Sequence, residues 1–166
     1  LEPSRSVCIA VLGFAVLVID LGLHPLTRRI AAATLLPILS LVLVCEAGIL
    51  AAAGSLRFAQ IAGCGAAALA GMALCAYSDR AKRTAEGIAL PFAVFAAGMM
   101  LIGRVNSFSH VPLISYLLPP VAPLALWLTM AVPTGPTART AATRRRLLLL
   151  IPIVLCLLAV GLAAAV

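Results

Sequence analysis

Six stretches of about 20 apolar residues, each as long as a helix must be to cross a bilayer's hydrocarbon core, leave this chain few ways to fold. They cover approximately 7–26, 30–53, 56–77, 85–105, 111–132 and 147–166. In lipid a helix can satisfy its backbone polar groups within itself, so these stretches predict helices. The expected fold is all-α: a polytopic membrane helical bundle of six transmembrane helices, forming a single domain over 1–166. His24-Pro25 disfavours helix before the proline, Ala53-Gly54-Ser55 reads as a short turn, 78–87 is polar, and 133–146 is rich in Pro, Thr and Arg. The first two breaks are so short that helices one to three should run antiparallel in sequence order.

Composition supports this. Hydrophobic residues make up 64% of the 166 positions and charged residues 10%, whereas soluble domains carry about a quarter charged residues. That much apolar surface cannot be hidden inside a soluble body of this size. A net charge of +7 raises the question of nucleic acid, but the bases sit between apolar runs and form no basic face interleaved with aromatics. No nucleic-acid partner is expected. Lys82 is the one lysine beside eleven arginines, and Ala and Leu dominate the remainder, a usage that matches a GC-rich bacterial genome.

Basic residues tend to stay on the cytoplasmic side, so their positions predict the threading. Arg28, Arg29, Arg80, Lys82, Arg83, Arg139, Arg144, Arg145 and Arg146 fall in alternate breaks on one side, nine in all; Arg5, Arg57 and Arg104 are the three on the other. The expected location is the inner (plasma) membrane, multi-pass, with 27–29, 78–84 and 133–146 cytoplasmic and both termini outside. An outside N-terminus, together with a first residue Leu1 that is not methionine, predicts an upstream signal, helix or attached domain.

Two patterns bear on packing. Ala59, Gly63, Ala67, Gly71 and Cys75 recur at every fourth position of the third run, and Ala89, Ala93 and Ala97 do so in the fourth. Such small-xxx-small ladders let helix backbones approach closely where lipid supplies no hydrophobic drive, so these two helices are expected to pack as a hairpin. In the fifth run Pro119, Pro120 and Pro123 each remove a backbone donor and crowd the preceding turn, which predicts a kink or a break. The break shapes the bundle on one reading and binds an ion through freed carbonyls on the other.

Ionisable groups inside a membrane are costly and are functional candidates for that reason. Asp20 lies roughly 10 Å from Arg28 along the first helix, still within the hydrocarbon. Asp20 and His24, with Arg28, share one helical face and form a candidate intramembrane polar site: an acid, an imidazole and a base leading from the cytoplasm. The plainer reading has Asp20 protonated, or hydrogen-bonded to a neighbouring helix, and His24 at headgroup level. Glu46 lies roughly 24 Å along the second helix, near the outer boundary. There it is expected to join Arg57, Arg104 and Asn106 in an outer-side polar cluster, either an ion pair or a site for an anion or lipid headgroup.

Enzyme chemistry finds little support. GxSxG, HExxH and glycine-rich phosphate loops are absent, and Ser107 and Ser109 beside His110 make a weak nucleophile-base pair. Cys8, Cys45, Cys64, Cys75 and Cys156 lie inside apolar runs without metal-ligand spacing, so buried inert thiols are expected, with no metal. His24 and His110, the two histidines, fall at opposite faces and cannot share one haem, so no cofactor is expected.

One short stretch carries a resemblance. Asp20 to Arg28, DLGLHPLTR, resembles the D-L-G-x-P-x-R stretch near helix ends of the quinol-interacting membrane subunits of polysulfide-reductase-type complexes. This chain has one residue more between Gly22 and Pro25 and a threonine ahead of Arg28. The resemblance covers nine residues and implies a helical bundle that docks an iron-sulfur partner and exchanges electrons with quinone.

The residues thus order three functions. The first is a bacterial membrane anchoring or assembly module whose partners are the bilayer and other membrane subunits or an upstream domain. The second is a small-solute or proton-coupled transporter using Asp20 and the broken fifth helix. The third is a quinone-linked redox subunit.

Overall fold

The structure, a computed structural model, describes residues 5–78, 85–106, 111–130 and 138–165. It is an all-α bundle of α1 (Arg5–Arg29), α2 (Ala32–Ala52), α3 (Leu56–Ser78), α4 (Ala89–Val105), α5 (Leu113–Val121), a 3-10 turn (Ala122–Ala125), α6 (Leu126–Met130) and α7 (Ala138–Ala164). Among the described residues, α1, α2 and α3 are long and apolar enough to cross a membrane; Ala89–Val105, Leu113–Leu128 and Leu150–Ala164 are shorter apolar helical stretches.

Burial separates the three long helices. α2 is apolar on nearly every side, and such a helix belongs in an interior. It touches α3, α4, α5, α7 and the 3-10 turn, and Leu35, Leu39, Val42, Ile49 and Leu50 along it are fully buried. Its most apolar window is 61% buried, against 11% for that of α1 and 28% for that of α3. α1 buries Ile19, Leu23, Leu26 and Thr27 near its end, packs chiefly against α4, and turns Phe14, Leu17 and Leu21 outward.

The α2–α3 connection shows how the local sequence sets the packing. Gly54, at φ +79, follows the end of α2. Gly54 N donates to Ala51 O at 3.0 Å and Ser55 N to Leu50 O at 2.9 Å, a Schellman closure that reverses the chain within a few residues. α3 then lies antiparallel along α2, burying Ala62, Ala66, Leu69 and Ala73, and Ser40 Oγ donates across the seam to Ala66 O at 2.8 Å. Since Ala66 O sits within a helix, Ser40→Ala should cost only about 0.6 kcal/mol, the average for an interhelical hydrogen bond in a membrane protein. Unfolding in mixed detergent micelles measures it.

Several sequence expectations need correction. α3 and α4 do not form a tight hairpin: α3 packs chiefly on α2, and α4 chiefly on α1. The short turn holds α3 to α2, and the α3 ladder points away, with Ala67, Gly71 and Cys75 exposed; Ala89, Ala93 and Ala97 of α4 are buried. α1 does not end at His24 but continues through Pro25 to Arg29, because proline constrains the turn before it and leaves the turn after it free to stay helical. The fourth helix starts at Ala89 rather than 85, after a turn in which Gly87 has φ +87. α7 begins at Ala138, so Arg144, Arg145 and Arg146 lie in a helix, not a loop. Among the five cysteines, Cys45 and Cys156 are buried, but Cys64 and Cys75 are exposed on α3.

The fifth segment breaks as its prolines predict. Pro119 and Pro120 lie within α5, and Pro123 lies within the 3-10 turn that leads into α6. Residues 79–84, 107–110 and 131–137, which hold Arg80, Lys82, Arg83, Ser107, Ser109 and His110, fall outside the described residues.

Candidate functional site

Glu46 is the most unusual side chain of the bundle. It is fully buried, and neither carboxylate oxygen has a hydrogen-bond partner among the described residues. Its helix places it beside Cys45, which is buried in one cluster with Cys156 of α7. Two more buried polar groups, Ser115 Oγ and Tyr116 Oη on α5, also lack partners among the described residues. α2, α5 and α7 pack on one another, and Leu50, one turn beyond Glu46, shares an apolar cluster with Tyr116 and Ala159. A carboxyl, a hydroxyl, a phenol and two thiols are therefore carried by three helices in mutual contact. Leaving one buried polar group unpaired costs about 1–3 kcal/mol, and more for a charge.

The structure does not bring Glu46 to the expected outer-side cluster. Arg57 and Arg104 are both exposed at that end of the bundle, and neither pairs with a described carboxylate. Asn106 is exposed and turned back on its own helix, its Nδ2 donating to Ile102 O at 2.9 Å. Its carbonyl receives a long bond from Ser55 Oγ at 3.4 Å. Counting depth along α2 gives a level for Glu46 but not the face on which it lies. Glu46 shares its buried stripe with Val42, Ile49 and Leu50, on the interior of α2.

Asp20 and His24 make a looser set. Asp20 is half-buried and His24 exposed, and neither side chain bonds to another described residue. Arg28 pairs instead with Glu86, at 3.9 Å, with both side chains more than half exposed. An ion pair of that kind contributes at most about 1 kcal/mol.

The surroundings of Pro25 hold a feature that sequence reading missed. Pro25 supplies no N–H to the carbonyl of Leu21 and crowds that turn. On the adjacent carbonyl, Gly22 O, Trp127 Nε1 donates a hydrogen bond of 2.9 Å across 105 positions of chain. A Cβ at Gly22 would overlap the end of the Leu124 side chain, which packs closely there. Thr27, fully buried and two residues beyond the proline, donates from Oγ1 to His24 O at 2.7 Å. The one signal in the sequence was a lone tryptophan just beyond a proline-broken segment. Trp127→Phe keeps most of the ring and removes the donor, so it should lower stability by about 1 kcal/mol, read from the detergent unfolding midpoint.

Compared with known proteins, the chain matches no family model, no curated protein and no solved structure. Its function has to be argued from its own geometry. Among the described residues no group of three or more His, Cys, Asp or Glu side chains stands close enough to hold a metal ion.

Proposed function

We propose that the chain is an integral membrane bundle of six crossings that anchors or assembles other proteins in the inner membrane of a bacterium, without chemistry of its own. The observation that carries this reading is α1. An apolar helix of 24 residues whose most apolar window is only 11% buried has to place its remaining surface against lipid or other membrane helices. The described basic residues at the α1–α2 connection, Arg28 and Arg29, are read as cytoplasmic, with 78–84 and the start of the last segment on the same side. The partners proposed are the bilayer and membrane subunits that cover the outward faces of α1 and α3.

Arg57 and Glu86 are both exposed and lie at opposite ends of the bundle, so they test the threading. In a variant lacking native cysteines, Arg57→Cys should react with an impermeant thiol reagent on intact cells. Glu86→Cys should react only after permeabilisation. The reverse pattern inverts the threading, and reaction at both positions in intact cells refutes a crossing. Asp20→Asn should leave such an anchor assembled with its partners.

Glu46 favours a second reading, a proton-coupled transporter in which Glu46 rather than Asp20 is the working acid and the broken α5–α6 segment moves. Intramembrane carboxyls of this kind mark proton and ion pathways. Proteoliposomes enclosing a pH-sensitive dye separate the two: the transporter carries protons and Glu46→Gln does not, whereas an anchor carries none in either form.

A further inference from the structure

A groove of about 360 Å³ opens between α1, α4 and α5 on the side of the bundle away from α3. Leu12 and Ala15 of α1, Ala97 and Met100 of α4, and Leu117 and Pro120 of α5 form its walls. Arg104 is the one charged side chain among the described lining residues. It stands in the last turn of α4, exposed, and pairs with no described carboxylate. Tyr116 also lines the groove, and its hydroxyl finds no partner among the described residues.

From this we infer that the groove holds one acyl chain of an anionic phospholipid whose phosphate sits on Arg104. The inference rests on the membrane-spanning reading above. Length and charge narrow the occupant. From Arg104 to Ala97 the groove follows α4 for about 10 Å, some two-thirds of the roughly 15 Å depth of one leaflet. A chain lying along it therefore brings its headgroup to the level of Arg104. The guanidinium offers paired donors to phosphate oxygens, and a zwitterionic headgroup answers that charge less well. Ala15 and Ala97 keep the groove open, since larger side chains in its walls would fill it.

Electron spin resonance of the full chain in phosphatidylcholine vesicles tests this, with spin-labelled phosphatidylglycerol or phosphatidylcholine as the probe. The protein should immobilise the phosphatidylglycerol label preferentially. Arg104→Gln should lower that preference by about fivefold, the contribution of one basic residue near a membrane surface. Ala15→Phe, which fills the groove and leaves the charge, should lower it similarly. Arg28→Gln, at the other end of the bundle, controls for general attraction to the basic residues there. Equal immobilisation of both labels, or an unchanged preference in Arg104→Gln and Ala15→Phe, overturns the lipid site while leaving the membrane reading standing. If neither label is immobilised, the membrane reading itself falls, and the lipid site with it.

Discussion

Replacing Glu46 by methionine should make the bundle more stable, by about 1–3 kcal/mol. The expectation runs against the usual effect of a substitution at a fully buried position, where most changes destabilise. It follows from what the carboxyl lacks. Both oxygens are buried without a partner among the described residues, while the stripe on either side, Val42, Ile49 and Leu50, is fully buried and apolar. Methionine has a similar length and can adapt to an irregular space, so it replaces the polar group without opening a cavity. Glu46→Gln should gain less, because a buried amide also needs partners. The midpoint of unfolding in mixed detergent micelles measures all three proteins. If Glu46→Met lowers the midpoint instead, the carboxyl is held by a group outside the described residues, and its burial is structural.

The direction of that result bears on function. Proteins depart from consistent packing chiefly where a site requires it. A carboxyl that no described residue pairs, beside Cys45 on a helix that packs against α7 and α5 with its unpaired Ser115 and Tyr116 hydroxyls, is the position at which a transported proton would be expected to bind. A gain in stability from Glu46→Met with unchanged partner assembly and no proton flux in the wild type would leave the anchor as the better account. The same gain, accompanied by loss of a wild-type flux, would favour the transporter.

How far the sequence could be read depends on which physical signal each feature leaves. Helix number and class follow from run length and the demand for internal hydrogen bonding, and they need no partner to be known. The break at Pro119, Pro120 and Pro123 is similarly local. The face on which a residue lies is not. Glu46 could be assigned a depth from its place in α2, but its separation from Arg57 and Arg104 depends on how α2 is rotated against α7. α2 is apolar on nearly every side and carries no periodic stripe to fix that rotation. The contact between Trp127 and Gly22 spans 105 positions, and a lone tryptophan does not say which carbonyl it will meet. Pro25 marked a disturbance in α1, yet the helix continues past it to Arg29, and Trp127 and Thr27 donate to the carbonyls of Gly22 and His24 ahead of it.

The α3 ladder presents the same problem in its sharpest form, and a pair of neighbouring substitutions settles it. Ala66→Leu should destabilise the bundle by about 1–3 kcal/mol, the usual cost of forcing extra carbon into a packed seam. Ala67→Leu should stay within about 0.5 kcal/mol of the wild type. Both positions lie in an Ala-rich helix, and only Ala67 belongs to the four-residue repeat that reads as a packing face. The structure nevertheless buries Ala66, at 3% exposure, and turns Ala67 outward. Ala66 cannot move away from α2, because Gly54 and the short turn fix the start of α3 and Ser40 Oγ reaches the Ala66 carbonyl. Gly65, beside it, is equally confined, since a Cβ there would meet Phe95 Cε1 at 2.8 Å and Leu43 Cδ1 at 3.2 Å. Ala67 is exposed, and on the proposed membrane reading a leucine there meets lipid tails as apolar as itself. Unfolding midpoints of the two variants should therefore differ clearly. A larger loss at Ala67 than at Ala66 would move the α2–α3 seam onto the ladder, with α3 rotated so that Ala67, not Ala66, meets α2.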